Sequence, residues 1–268
     1  MLILAFLLLA IGAAVIYVRC CGFVMWKAAL LFAGCFVALN LFYLVVAWVV
    51  SWFVNPAKPL SRQSNVCRSA CVYASFLVTG YCWVRTHVRG AEKLPEEGRF
   101  LLVGNHRSGF DPIVVTRMLW RFNISFVSKP SNLQMPFLGR VGYGAGCLPI
   151  DRENDRKALT AILTAADYLK RNLCSMAIYP EGSRSKTGEL LPFHAGSFKI
   201  AQKANVPLVI TSISGTEKVG KNVLRRPTDV YLDILEVIPA ERVKAMSTRE
   251  LAEYSSRVIA ENLQAISA

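Results

Sequence analysis

The sequence predicts an α/β fold, a β-sheet packed by helices on both faces, carried behind an N-terminal helical membrane anchor. Three observations predict it. Two long apolar segments without charge open the chain. Apolar runs of strand length then alternate with stretches of helical period. Two polar clusters rich in glycine, carboxylate and guanidinium follow directly on such runs. The chain has 268 residues, room for one sizeable domain and an anchor. Its hydrophobic fraction of 53% is high for a water-soluble protein.

The anchor comes first. "MLILAFLLLAIGAAVIYV" (1–18) and "AALLFAGCFVALNLFYLVVAWVVSWFV" (28–54) carry no charged residue. The second is long enough to cross a bilayer with tilt. Tyr43, Trp48, Trp52 and Phe53 suit an interfacial belt near its end. The first is marginal for a span. It lacks the basic n-region of a signal peptide and another apolar segment follows almost at once, so it is read as retained. Residues 1–54 are therefore expected to form a membrane anchor of one or two hydrophobic helices. Lys58, Arg62 and Arg68 follow it, and basic residues beside a span favour the cytosolic side for the large domain.

All 18 acidic residues lie beyond residue 54, as do all basic residues except Arg19 and Lys27, so the chain's +13 leaves +11 there. Such a surface suits anionic lipid headgroups or phosphorylated ligands. No nucleic-acid motif accompanies it, and no nucleic-acid partner is expected. The eight cysteines form no C-x-x-C pair and no cluster with histidine, so they read as small apolar residues and no metal site is expected.

"NPAKPLSRQSNVCR" (55–68) is polar with two prolines and reads as a linker. "SACVYASFLVTGYCWV" (69–84) is apolar but too short to span, hence a buried or interfacial helix. Arg85, His87 and Arg89 follow at headgroup level. Residues 85–268 then form the α/β domain. "RFLLVG" (99–104) is a strand, and a helix starts after Pro112. "NISFVSK" (123–129) is a strand. "DRKALTAILTAADYLKR" (155–171) has helical spacing. "CSMAIYP" (174–180) is a strand, "GSFKIAQKAN" (196–205) a helix, "VPLVITSIS" (206–214) a buried strand. "DVYLDILEVI" (229–238) alternates as a strand does. "STRELAEYSSRVIAENLQAI" (247–266) is a helix with Ser247 and Glu250 forming a capping box. Strands interleaved with helices mean an α/β sheet.

The first polar cluster is "NHRSGFDP" (105–112). Asp111-Pro112 reads as an N-cap followed by proline at the first helical position, with Gly109 permitting the turn. If Ser108-Gly109 folds the chain back, the Asp111 carboxylate also reaches one ring nitrogen of His106 and fixes its tautomer. The other nitrogen is then left to take a proton. The second cluster is "YPEGSRS" (179–185). Amides around Gly182 together with Arg184 would form a phosphate site, because the guanidinium fork matches phosphate oxygens. There is no G-x-S-x-G elbow, Walker A loop or G-x-G-x-x-G turn. A hydroxyl activated by His106 therefore belongs to a substrate, which points to acyl or phosphoryl transfer onto an alcohol.

On these residues the sequence resembles the glycerolipid acyltransferases, above all those acting on 1-acyl-glycerol-3-phosphate. "NHRSGFD" matches the family's first motif, Asn-His, four residues, Asp. "FVSKPSNLQMPFLGRVGYGAGCLPIDR" resembles the second, with Lys129, Pro136, Gly139 and Arg152 in place. "YPEGSRS" is the third, with Ser183 where threonine is usual, and "VPLVITSI" the fourth. Pro130-Ser131-Asn132 and His194-Ala195 depart from the usual pattern. The resemblance covers roughly residues 85–215. It implies a mixed β-sheet flanked by helices and a direct acyl transfer. His106, oriented by Asp111, removes the proton of a lysophospholipid hydroxyl, and the alkoxide attacks the thioester of acyl-CoA or acyl carrier protein. The resemblance implies that Glu181, Gly182, Ser183 and Arg184 hold the acceptor, that Lys129 and Arg152 add charge, and that Asn105 shapes the turn. No metal or prosthetic group is implied. The expected partners are membrane lipids, the lysophospholipid substrate and the acyl donor. Another acceptor (glycerol 3-phosphate, another lysophospholipid or an aminolipid) is the alternative. A membrane-anchored lipid-binding protein without catalysis is the reading from a different class.

Overall fold

The structure is a computed structural model that describes residues 2–21, 24–151, 154–185, 189–223 and 225–267. It divides into two compact units, Met1–Val54 and Asn55–Ala268. In the first, α1 (Leu2–Cys21) and α2 (Met25–Ser51) pack on each other. Both are long and apolar enough to cross a membrane. Within each helix little is buried, and Leu4, Leu8, Leu30, Leu41 and Phe42 are exposed. A helix that is apolar all round suits hydrocarbon rather than water. Two polar side chains of α2 are satisfied locally, Ser51 Oγ donating to Trp48 O at 2.6 Å and Asn40 Nδ2 to Phe36 O at 2.5 Å, as suits a bilayer.

The second unit begins with α3 (Asn65–Tyr81), where the Ser64 hydroxyl accepts from Cys67 N at 3.3 Å. The helix therefore starts inside the stretch read as linker. It buries Cys67, Ala70, Tyr73, Ser75 and Thr79, and packs within the unit that carries the sheet. Arg85, His87 and Arg89 lie in a strand, β1 (Val84–Arg89). The chain continues through β2 (Leu101–Gly104), α4 (Asp111–Met118), β3 (Ile124–Ser128), α5 (Pro130–Leu133), α6 (Leu138–Gly144) and β4 (Leu148–Pro149). Then come α7 (Asp155–Lys170), β5 (Ser175–Ile178), α8 (Lys199–Ala204), β6 (Leu208–Ser214) and α9 (Thr216–Asn222). The last elements are β7 (Thr228–Ile238), α10 (Ala240–Ala245) and α11 (Thr248–Ser267). The capping box of α11 is present: Glu250 N donates to Ser247 Oγ at 3.2 Å and Ser247 N to Glu250 Oε2 at 2.7 Å.

The seven strands form one mixed sheet in the order β1-β7-β6-β2-β5-β3-β4. β6, β2, β5, β3 and β4 are parallel, β7 is antiparallel to β6, and β1 is parallel to β7. The central strands are buried on both sides, so their sequences are continuous apolar runs rather than alternating ones. Their period of two still divides the core. Leu101, Val103, Met176, Ile178, Leu208 and Ile210 pack under α7, α8 and α11. Leu102, Ala177 and Val209 face the other way, against Val114, Val115 and Val219 of α4 and α9.

This topology places the site. The chain leaves β2 toward β3 on one side, and later leaves β5 for β6 on the other side of β2. The carboxyl ends of β6, β2, β5 and β3 share one sheet edge, and the crevice at such a reversal is where open α/β sheets bind ligands.

Candidate active site

Asn105 follows β2 and is fully buried. Its side-chain amide continues the sheet as a backbone unit would. Nδ2 donates to Ile213 O at 2.9 Å, and Oδ1 accepts from Ile213 N at 2.8 Å. The next residue therefore leaves the sheet at a fixed height on the crevice floor. That residue is His106. Its Nδ1 lies 2.7 Å from Asp111 Oδ2, with the imidazole 20% exposed and the carboxylate 0%. The imidazole stacks on the Tyr179 ring at 4.4 Å between centroids and 6° between planes. Packing and hydrogen bonding thus fix both ring tilt and tautomer, with Nδ1–H donating to the carboxylate and Nε2 left for the crevice.

Asp111 corrects one sequence expectation. It is the first residue of α4, the capping position falls on Phe110, and Pro112 is the second helical residue. Its carboxylate turns back from the helix. Oδ2 accepts from Arg107 N at 2.7 Å and Ser108 N at 2.8 Å besides His106 Nδ1, and Oδ1 accepts from the Thr216 hydroxyl. Four donors converging on one buried carboxylate outcompete the helix amides. Asp111 is the hub of the His106–Asp111 turn, not the cap of α4.

The second cluster docks onto this turn. Glu181 Oε1 accepts from His106 N at 2.5 Å and Oε2 from Leu191 N at 3.0 Å. Ser185 N donates to His106 O at 3.2 Å. Glu181 is 5% exposed, and burial pushes its carboxyl above the usual range, opposed by the two amides and by His106 and Arg107 nearby. The expectation from the resemblance is that Glu181 helps hold the acceptor; what the geometry gives it is a bracing role. Both oxygens accept from backbone amides, so Glu181 braces His106 against the 190s loop. Gly182 has φ of +82°, where a side chain would be strained. That turn carries Ser183 and Arg184 outward, and both are exposed. A Cβ on Gly109 would sit 3.6 Å from Arg184 Nη1, so the guanidinium lies directly over the His106–Asp111 turn. Lys129 is exposed at the carboxyl end of β3, before α5. Arg152 lies outside the described residues.

The structure therefore brings Asn105, His106, Asp111, Glu181, Gly182 and Arg184 together, with Ser183 on the same loop and Lys129 two strands from β2. Sequence reasoning missed Thr216 and the stacking role of Tyr179. Thr216 is 0% exposed and opens α9 at the end of β6. Its signal was present in "SGTE" (214–217), a third polar turn between strand and helix. The cluster holds an oriented imidazole with one free nitrogen, backed by a buried carboxylate and faced by an exposed guanidinium. It can take a proton from a neutral hydroxyl next to a bound anion.

The model of the family described as "Acyltransferase" matches residues 85–214. The chain is similar to a 1-acyl-sn-glycerol-3-phosphate acyltransferase of Salmonella typhimurium, 31% identical over 158 residues, 59% of this chain and 64% of that one. It is similar to the human 1-acyl-sn-glycerol-3-phosphate acyltransferase beta, 29% identical over 182 residues, 66% of this chain and 64% of that one. The chain thus spans just under two thirds of these relatives' length. Its fold is that of the crystal structure of the 1-acyl-sn-glycerophosphate acyltransferase from Thermotoga maritima. That match has a TM-score of 0.65 at 22% identity and covers 85% of this chain and 89% of the other.

Proposed function

We propose that this chain, whose residues 85–214 match the acyltransferase family model, transfers a fatty acyl group from an acyl thioester to the free sn-2 hydroxyl of 1-acyl-glycerol-3-phosphate, giving phosphatidic acid. The donor is acyl-CoA or acyl carrier protein. The observation that carries the reading is the His106–Asp111 pair, with Nε2 free at the strand edge and Arg184 over the same turn.

His106 Nε2 removes the proton of the sn-2 hydroxyl as its oxygen attacks the thioester carbonyl. The imidazolium formed is stabilised by the buried Asp111 carboxylate. The tetrahedral intermediate collapses by breaking the C–S bond. The proton on His106 passes to the leaving thiolate, and the base is regenerated without an acyl-enzyme. Arg184 binds the acceptor phosphate through its planar fork, with Lys129 and Arg152 supplying further positive charge. Asn105, Glu181 and Thr216 act through other residues by fixing the turn. No metal or prosthetic group enters these steps. Residues 1–54 hold the enzyme to the membrane in which acceptor and product reside, with the catalytic unit on the cytosolic face.

The test is an acceptor and donor panel on the purified full chain, with thiol release as readout. The expected result is release that depends on 1-acyl-glycerol-3-phosphate and exceeds that with glycerol 3-phosphate, other lysophospholipids or aminolipids. Faster release with one of those acceptors would reassign the substrate. Equal release with water alone would make the protein a hydrolase.

A further inference from the structure

We infer that the rim of the catalytic unit around the strands' carboxyl ends is a bilayer-seating surface for an anionic lipid interface, in addition to the apolar helices α1 and α2. The inference rests on the proposed acceptor lying in a membrane. β7 runs antiparallel to β6, so its first residue, Thr228, lies at the sheet edge where β6 ends. Trp83 and Tyr81 meet that edge, because Thr228 N donates to Trp83 O at 3.0 Å. They are 56% and 72% exposed. On the other side of Thr228, Asn222 Nδ2 donates to its hydroxyl at 2.9 Å, and Arg226 Nε donates to Asn222 Oδ1 at 3.1 Å. The exposed Lys221, Arg225 and Arg226 therefore border the exposed rings.

Trp83 stands at φ of +52°, a region where a bulky residue is a genuine outlier. Three of the five non-glycine residues with positive φ among the described residues are asparagines, which tolerate it; Trp83 and Phe137 are the other two. The conformation follows from the end of α3, where Trp83 is the residue after the C-cap and its N–H donates to Gly80 O at 3.0 Å, the left-handed position at which helices commonly stop; the turn leaves the indole outside. Phe137 marks the opposite flank. Beside it Met135 and Leu138 are 45% and 53% exposed, just past the carboxyl end of β3, with Lys129 and Arg140 also exposed. β7 and β3 each stand two strands from β2. At a spacing of about 4.8 Å per strand, the flanks lie roughly 10 Å to either side of the strand that ends at His106.

Aromatic rings interleaved with Lys and Arg are what a membrane interface selects, the rings at headgroup depth and the cations against anionic lipid. Two carboxylates of this region face basic side chains: Asp229 lies 2.8 Å from His87 and Glu217 3.9 Å from Arg107. Apolar side chains on both flanks fit a planar apolar phase better than an acidic carrier domain docking on one side.

The test uses the full chain in vesicles with and without anionic lipid. Trp83→Asn suits the left-handed backbone, and its difference spectrum from wild type isolates the Trp83 emission. That component is expected to be quenched by bromine near the top of the acyl chains, shielded from aqueous iodide, and stronger in both respects with anionic lipid. Arg225→Glu/Arg226→Glu, with thermal unfolding checked, is expected to weaken the seating equilibrium about five-fold per positive charge removed, less at high salt. A Trp83 emission open to iodide and insensitive to bromolipid in wild type would overturn the inference, as would quenching unchanged by the charge reversal. The readout needs no turnover. An inactive chain with Trp83 still seated would refute the proposed reaction and uphold this surface.

Discussion

Replacing Asp111 by Asn separates the carboxylate's shape from its charge. With its carbonyl in the place of Oδ2, asparagine still accepts from His106 Nδ1, Arg107 N and Ser108 N. Its amide then faces Thr216, whose hydroxyl rotates to accept. The turn is kept, while the negative charge facing the imidazolium is lost. The nitrogen–oxygen separation is 2.7 Å, and the two charge centres lie about 4 Å apart, which corresponds to about 4 kcal/mol at an effective dielectric constant of 20. The imidazole is 20% exposed, so solvent screening lowers that figure. The expected loss in kcat is about a hundred- to a thousand-fold, with acceptor KM little changed. The assay is initial-rate thiol release at saturating donor, with circular dichroism and thermal unfolding to show that the variant is folded. A folded Asp111→Asn variant within about three-fold of wild-type kcat would refute the reasoning, because Asp111 would then serve only the turn.

Three further outcomes follow from the same geometry. Thr216→Val leaves Asp111 Oδ1 without its donor, so kcat should fall about ten-fold. Thr216→Ser should restore it and acceptor KM should hold, whereas a merely structural role would show as equal loss of stability in both variants. Arg184→Ala removes a charge-assisted contact to phosphate, so acceptor KM should rise about ten- to a hundred-fold with kcat nearly constant; an unchanged KM would remove its phosphate role. Burial raises the Glu181 carboxyl in the folded state, so the native state binds that proton more tightly than the unfolded chain. Its contribution is full below the ordinary carboxylate range and is lost as pH rises through the folded value. Glu181→Gln should abolish that slope and, by setting an amide donor against a backbone N–H, cost about 1–3 kcal/mol in denaturant unfolding. A retained slope would assign it to another group.

Much of the fold was legible because the central strands are nearly continuous apolar runs and α7 and α11 carry strong helical periodicity. β1 was not legible, because "VRTHVR" is an edge strand whose outward residues are basic and whose single buried position is Val84. α9 is seven residues long and mostly polar, too short for a period to register. The identity of the site was readable from two polar turns at strand ends, and so was the pairing of His106 with Asp111, but the remaining partners of the two carboxylates were not. Asp111 was read both as a helix cap and as the partner of His106; the pairing is present, whereas the cap is not, because local sequence does not show the other donors that turn the carboxylate away from the helix. The donor that completes its shell, Thr216, is 105 residues away. The acceptor role of Glu181 was implied by the resemblance alone, and its backbone partners at His106 and Leu191 were not legible because they become neighbours only when β2 and β5 pair.

The most direct test of the central claim is the turnover of His106→Ala on 1-acyl-glycerol-3-phosphate, with donor and acceptor binding measured on the same folded protein. Removal of the base is expected to lower kcat by at least about a hundred- to ten-thousand-fold with both substrates still bound. Turnover near the wild-type rate in that variant would contradict the account.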